Sequence, residues 1–276
     1  MIEHHLLIET MTPGEASKLR GIVMWLDTGL MGRPCGGALT ALVARQYWEW
    51  APQHVLTHHL SIALHYIHLA AATIPPRVIP IEEGDEGQVL LYTDAATHAP
   101  GLRIGILIVE QNTQPICSTF DVPDAVISTW RYRTTYIGQG ELLAGPLALW
   151  LHADRLRGRD VTWYVDNISA ASALIKGASP QADSSEMALV ASLQAASLGT
   201  RLWFEWIQSD QNPSDPLSRL GLEDPNVRAK LNKGTWRAYQ PSVPWEEVLP
   251  KPSSLVKQRW EKERWATLEE RSAWQP

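Results

Sequence analysis

The chain has 276 residues, enough to bury a sizeable core in one large or two small domains, and its 45% hydrophobic, 20% charged composition is that of a globular protein. A net charge of −6 disfavours a free-standing nonspecific nucleic-acid binder, which presents basic faces to phosphates, and the two cysteines, Cys35 and Cys117, exclude a disulfide framework or a CxxC metal site. The N-terminus lacks a basic-then-apolar pattern and no apolar run reaches the length of a membrane span, so the expectation is an intracellular protein, cytoplasmic or nuclear, with no membrane partner.

From the N-terminus, "TPGE" at 12–15 is a helix start: Thr12 as N-cap, Pro13 at the first helical position and Glu15 three residues after the cap. Ala16, Leu19, Val23 and Leu26 follow at helical spacing, and further helical patterns cover about 37–50 and 53–73. Residues 1–80 therefore read as a small helical region, closed by the Pro- and acid-rich linker "IPPRVIPIEEGDEG". The period then changes. "QVLLYTD" (88–94), "RIGILIVE" (103–110) and "PICSTFDV" (115–122) predict three strands in an antiparallel meander. A helix follows at about 139–157, then a strand at 161–166, a helix from 167, a longer helix at 182–198, a strand at 201–207 and a short helix after "NPSD". The order βββαβα(α)βα predicts an α/β fold with a mixed five-stranded sheet flanked by helices over 87–222. Residues 223–276, rich in Pro, Trp and mixed charge, read as an irregular tail that docks loosely or needs a partner.

Four acids occupy telling places on that order. Asp94 ends the first strand, Glu141 sits in the first turn of the 139–157 helix, Asp166 ends the fourth strand and Asp215 opens the last helix. Each alone is as readily a cap or surface group. Together they are a candidate metal site, because the first and fourth strands should be adjacent and parallel with the helix over them. Hard oxygen donors without Cys or His suit Mg²⁺ or Mn²⁺, and two such ions would clamp the attacking and leaving oxygens of a phosphodiester.

The motifs around these acids resemble the ribonuclease H family. "YTDAA" resembles its first-strand motif, "GELLA" its helix glutamate, "YVDN" its fourth-strand aspartate, and "NPSDPLSR" the last-acid motif of its retroelement versions. The resemblance covers about 87–222 and implies an endoribonuclease that cuts the RNA strand of an RNA–DNA hybrid with two Mg²⁺ or Mn²⁺ ions held by Asp94, Glu141, Asp166 and Asp215. Ala95, Asn167, Asn212 and Arg219, beside those acids, are read as substrate-binding positions. A weaker resemblance upstream, in "GEASKLRGIVMWLDTGLMGRPCGGALTAL", is to the segment joining a reverse transcriptase's thumb to its ribonuclease H, which implies a piece of a retroelement polyprotein with a reverse transcriptase as partner.

The chain departs from the family pattern in three places. Ser209, Asp210 and Asn212 stand where a loop histidine is common, Ala95 where a glycine often follows the first acid, and Lys176 is the one basic residue between 167 and 200, where some members carry a basic insertion. Slow or partner-dependent activity follows from those departures, and the competing reading is a non-catalytic module of the same fold, kept for packing against a polymerase or left as a degraded element remnant. A related exonuclease would carry Asp-x-Glu where this chain has Asp94-Ala95-Ala96, and a transposase would place its glutamate last. "YVDN" lacks the second aspartate of a polymerase motif at Asn167. His54, His58, His59, His65 and His68 read as interfacial rather than metal-binding, and Trp130, Trp203 and Trp206 would stack on bases only if exposed.

Overall fold

The computed structural model describes residues 1–30, 34–74, 76–77, 87–98 and 101–249. Four helices come first: α1 (Ile2–Ile8), α2 (Pro13–Gly29), α3 (Gly36–Tyr47) and α4 (His58–Thr73). The capping box expected at α2 is formed, with Thr12 Oγ1 accepting from Glu15 N–H at 3.2 Å and Glu15 Oε2 accepting from Thr12 N–H at 2.8 Å. The 53–73 pattern does not make one helix. Gln53 and His54 take positive φ in a short 3₁₀ turn, so α4 begins only at His58, and His54 and His58 share no helical face.

These helices bury Leu19, Val23, Leu42, Leu64 and Ile67 in a core of their own, which also takes in Ala196 from a helix far along the chain. That helix is α9 (Ala182–Leu198). The joint is close: a Cβ on Gly37 would lie 2.9 Å from the Gly177 carbonyl oxygen and 3.1 Å from Leu189. The helical region is thus packed directly onto the rest of the chain.

The sheet comprises β1 (Val89–His98), β2 (Gly101–Glu110), β3 (Ile116–Val122), β4 (Asp160–Val165), β5 (Arg201–Trp206) and β6 (Arg237–Ala238), in the order β5-β4-β1-β2-β3-β6. The first three strands form the expected antiparallel meander, and β4 and β5 lie parallel beside β1. The sheet has six strands where the sequence predicts five. The sixth is two residues of the predicted tail, paired in parallel with Ile116 and Cys117.

The helices between and beyond the strands are α5 (Asp124–Ile127), α6 (Ile137–Leu151), α7 (Ala153–Leu156), α8 (Ile168–Lys176), α9 (Ala182–Leu198), α10 (Asp215–Arg219), α11 (Pro225–Asn232) and α12 (Trp245–Val248). Strand alternation divides the side chains between two faces. Val89, Leu91, Ala95, Ile104, Ile106 and Ile108 meet α6, α8 and α9 on one face, around the fully buried Trp163. On the other face Leu107 and Cys117 meet Leu217 of α10 and Val227 of α11. Both faces are covered, which is why β2 reads as a nearly continuous apolar run.

Three expectations are corrected here. Asp94 does not end its strand: Ala95 to His98 remain paired with β2, so Asp94 sits in the middle of a ten-residue strand. Glu141 lies in the second turn of α6, which begins at Ile137. The tail is folded as far as residue 249: Asp224 caps α11 by accepting from Asn226 and Val227 N–H, and Val248 is buried in the main core. Residues 250–276 lie outside the described residues, as does most of the linker. No helix among the described residues is long and apolar enough to cross a membrane.

Candidate active site

Asp94 is delivered by the parallel pairing of β1 with β4, whose register sets Tyr92 opposite Tyr164 and so brings Asp94 level with Asp166 at the end of β4. Glu141 is delivered by α6. This helix approaches β1 closely because position 140 has no side chain: a Cβ on Gly140 would lie 2.8 Å from the Ala95 Cβ and 2.9 Å from Leu102. At that approach Glu141 Oε1 accepts from Ala95 N–H at 3.2 Å. Asp166 follows directly on β4, and Asn167 then starts α8 by accepting from Ala170 N–H at 3.0 Å.

Asp94, Glu141 and Asp166 each offer a carboxylate oxygen within 4.8 Å of the others. Asp94 and Glu141 are buried and Asp166 is half-buried. Burial drives the Glu141 carboxyl well above the usual carboxylate range, and the charges of Asp94 and Asp166 add to it. Asp94 is raised for the same first reason, opposed by the Ser218 hydroxyl that donates to its Oδ2 and reinforced by the Asp166 charge. Glu141 Oε2 and Asp166 Oδ1 are buried without a hydrogen-bond partner. Two orphaned carboxylate oxygens in an all-oxygen cluster are a donor set that a hard divalent cation would complete. Among the described residues no histidine joins a ligand group of three.

Asp215, the fourth predicted ligand, stands beside this group rather than in it. Its two carboxylate oxygens both accept from Arg219 Nε at 2.8 Å, and its charge still reaches Asp94. The short helix that carries it is held from three sides. Asn212 Nδ2 donates to the Thr93 carbonyl at 3.0 Å, Thr119 Oγ1 donates to the Leu217 carbonyl at 2.9 Å, and Gly105 leaves room for the helix backbone on β2.

The residues read as substrate-binding all have partners within the chain. Ala95 is buried with its N–H on Glu141, and Asn167 caps α8. Asn212 is buried, with its amide nitrogen on β1 and its oxygen accepting from Ser214 N–H and hydroxyl. Arg219 holds Asp215. Sequence reasoning missed Ser218, which orients Asp94 from 124 residues away; its place in "DPLSR", one turn after Asp215, was the available signal. It also missed Gly105 and Gly140, whose role is legible only from what packs against them.

No protein-family model matches the chain, and no curated protein matches it. Among solved structures it is similar to ribonuclease H1 from the halophilic archaeon Halobacterium salinarum NRC-1, at 17% identity over 46% of this chain and 91% of that one, with a TM-score of 0.35. It is also similar to the N-terminal ribonuclease H domain of a Mycobacterium tuberculosis protein solved as a fusion with maltose-binding protein, at 13% identity over 54% of this chain and 99% of that one, with a TM-score of 0.32.

Proposed function

We propose that the chain is a metal-dependent endonuclease that hydrolyses the RNA strand of RNA–DNA hybrids. The observation that carries this reading is the convergence of Asp94, Glu141 and Asp166, two of them buried, with two carboxylate oxygens left without partners. A cluster of that kind costs stability in a metal-free fold, and a phosphodiesterase centre gives it a use. Asp94, Glu141, Asp166 and, once released by Arg219, Asp215 would hold Mg²⁺ or Mn²⁺, which when bound supplies Lewis-acid polarisation of the phosphodiester and a more acidic water.

The chain's own residues keep the donor oxygens aimed. The Ser218 hydroxyl fixes one oxygen of Asp94, the Ala95 N–H fixes one oxygen of Glu141, and the cap at Asn167 sets the chain direction immediately after Asp166. Glu141 Oε2 and Asp166 Oδ1, buried without a hydrogen-bond partner, are left for a ligand. Discrimination of hybrid from duplex DNA would rest on the 2′-hydroxyls and A-like shape of the RNA strand rather than on base sequence.

A second reading, a non-catalytic module of the same fold packed against a polymerase, draws support from the Arg219–Asp215 pair, which already neutralises the fourth acid. Either form would be part of, or derived from, a retroelement polyprotein with a reverse transcriptase as neighbour, a reading supported by the resemblance of the segment from Gly14 to Leu42. Incubation of the purified protein with end-labelled hybrid, single-stranded RNA and duplex DNA, with and without Mn²⁺, separates them. Mn²⁺-dependent cutting of the hybrid's RNA strand supports the enzyme, whereas no cutting at any Mn²⁺ concentration supports the module.

A further inference from the structure

Among the described residues no lysine or arginine pairs with Asp94, Glu141 or Asp166, whereas Asp215 is held by Arg219. The pair is one-sided. The Nε–H group alone serves both oxygens of Asp215, at 2.8 Å each, and the two terminal nitrogens of the guanidinium make no hydrogen bond among the described residues. The side chain of Arg219 is 63% exposed and that of Asp215 is 23% exposed. The position of Arg219 beside the centre is set by its backbone: the preceding residue, Ser218, donates its hydroxyl to Asp94, and the Arg219 carbonyl accepts from Arg103 Nη1 at 3.4 Å. Asp215 first, and then the charges of Asp94 and Asp166, raise the guanidinium pKa above its ordinary value, so the side chain lies in the field of the cluster as well as on its own helix.

We propose that Arg219 is an exchangeable latch: it holds Asp215 in the free protein and moves to a backbone phosphate of the substrate, so that hybrid binding frees the fourth carboxylate for the metal site. This rests on the nuclease reading. Residues 86–222 carry 9 basic and 14 acidic side chains, so the field around the centre repels a polyanion, and an exposed cation at its edge is where a phosphate gains most. A guanidinium suits that role because its planar fork matches two phosphate oxygens at once. The bond to Asp215 is one it can leave, since an exposed ion pair one helical turn apart contributes little. While Arg219 stays there it competes with any divalent cation for the same two oxygens. Once it is on a phosphate the competition ends, so nucleic acid and metal tighten each other's binding by the same factor. The arrangement also explains why the fourth acid alone is neutralised in the free chain: one fewer unpaired carboxylate faces Asp94.

The test has two readouts besides cleavage. The first is Mn²⁺ affinity without nucleic acid, measured by titration calorimetry for wild type, Arg219→Gln, Asp215→Asn and the double variant. Arg219→Gln should bind Mn²⁺ roughly 1.5- to 5-fold more tightly than wild type, the worth of an exposed ion pair, and the gain should shrink in the Asp215→Asn background, where there is no carboxylate to release. The second is the anisotropy of a fluorescein-labelled RNA–DNA hybrid at several salt concentrations with Ca²⁺ in place of Mn²⁺. Arg219→Gln should weaken hybrid binding and lower the slope of log K against log salt by about one, the signature of one lost phosphate contact. No gain in Mn²⁺ affinity, a gain equal in both backgrounds, or an unchanged salt slope overturns the proposal, because Arg219 would then be a helix-surface partner or a repelling charge only. A wild type that meets both expectations yet never cuts hybrid sinks the nuclease reading and leaves the latch standing. A wild type that cuts hybrid with Mn²⁺ while Arg219→Gln keeps wild-type Mn²⁺ affinity and salt slope does the reverse.

Discussion

Gly105 stands directly opposite Asp94 in the β1–β2 ladder, and the backbone of α10 occupies the space where a side chain at 105 would be. A Cβ there would lie 2.7 Å from the Ser214 carbonyl oxygen, the Ser218 nitrogen and the Leu217 Cβ. That absence of a side chain lets Ser218 reach Asp94 and sets Asp215 beside it. The site is therefore assembled by a close approach between a strand and a five-residue helix.

Gly105→Ala should accordingly displace α10 and cost about 1–3 kcal/mol, the usual range for overpacking. It should also weaken Mn²⁺ binding, read as a smaller Mn²⁺-induced rise in melting temperature. Gly101→Ala, at a position with open space on the same strand, is the control and should leave both unchanged. Equal effects from the two substitutions would mean that the approach at Gly105 does not organise the site.

Burial, with the Asp94 and Asp166 charges behind it, raises the Glu141 carboxyl well above its ordinary value of 4.5 in the folded chain. A carboxyl raised by folding is held protonated more readily by the native than by the unfolded state. Its ionisation therefore costs native stability above the unfolded pKa, and that cost disappears as pH falls below about 4.5. Glu141→Gln should make the metal-free protein more stable than wild type at neutral pH, with the gap closing on acidification, as followed by thermal unfolding in chelator. A Gln variant less stable than wild type at pH 7 would contradict this.

His152 carries the opposite dependence. It is buried, and that burial, with help from the neighbouring Arg155 charge, lowers its pKa from 6.5 to about 3. An imidazole depressed by folding prefers to be neutral in the native state, so stability is intact above the unfolded value and is lost as pH falls from about 6.5 towards 3. Each pH unit in that window removes up to about 1.4 kcal/mol. His152→Phe, which keeps a ring against Tyr239, should flatten the acid limb of the stability profile. An unaltered limb would mean that other groups set it.

Metal binding to the folded state alone should raise wild-type stability by RT ln(1 + [L]/Kd), about 2.7 kcal/mol at a hundredfold excess over Kd. Asp166→Asn should abolish cleavage and the Mn²⁺ response while leaving the metal-free fold as stable or more stable, since Asp166 Oδ1 has no partner to lose. A scaffold in which Asp166 merely precedes a helix cap would show no Mn²⁺ response in either protein. Differential scanning of both, with and without millimolar Mn²⁺, is the measurement.

What the sequence determined by itself is what depends on local chemistry and period. The Thr12/Glu15 capping box, the βββ meander, the 182–198 helix and the four acids with their flanking motifs are legible because each depends on residues within a turn or a strand of one another. The limits of β1 were not, because Ala95 and Ala96 are weak strand formers that break the apolar run, and the segment to His98 stays extended through pairing with β2. Nor was β6, whose two residues become a strand only by lying along Ile116 and Cys117. Which carboxylates meet was likewise a tertiary matter. Asp94, Glu141 and Asp166 converge because two parallel strands and a helix admitted by Gly140 deliver them to one place, while Asp215 is drawn by an arginine one turn away on its own helix. The local pattern places an acid on an element, but the close approaches between elements separate in sequence decide what that acid faces.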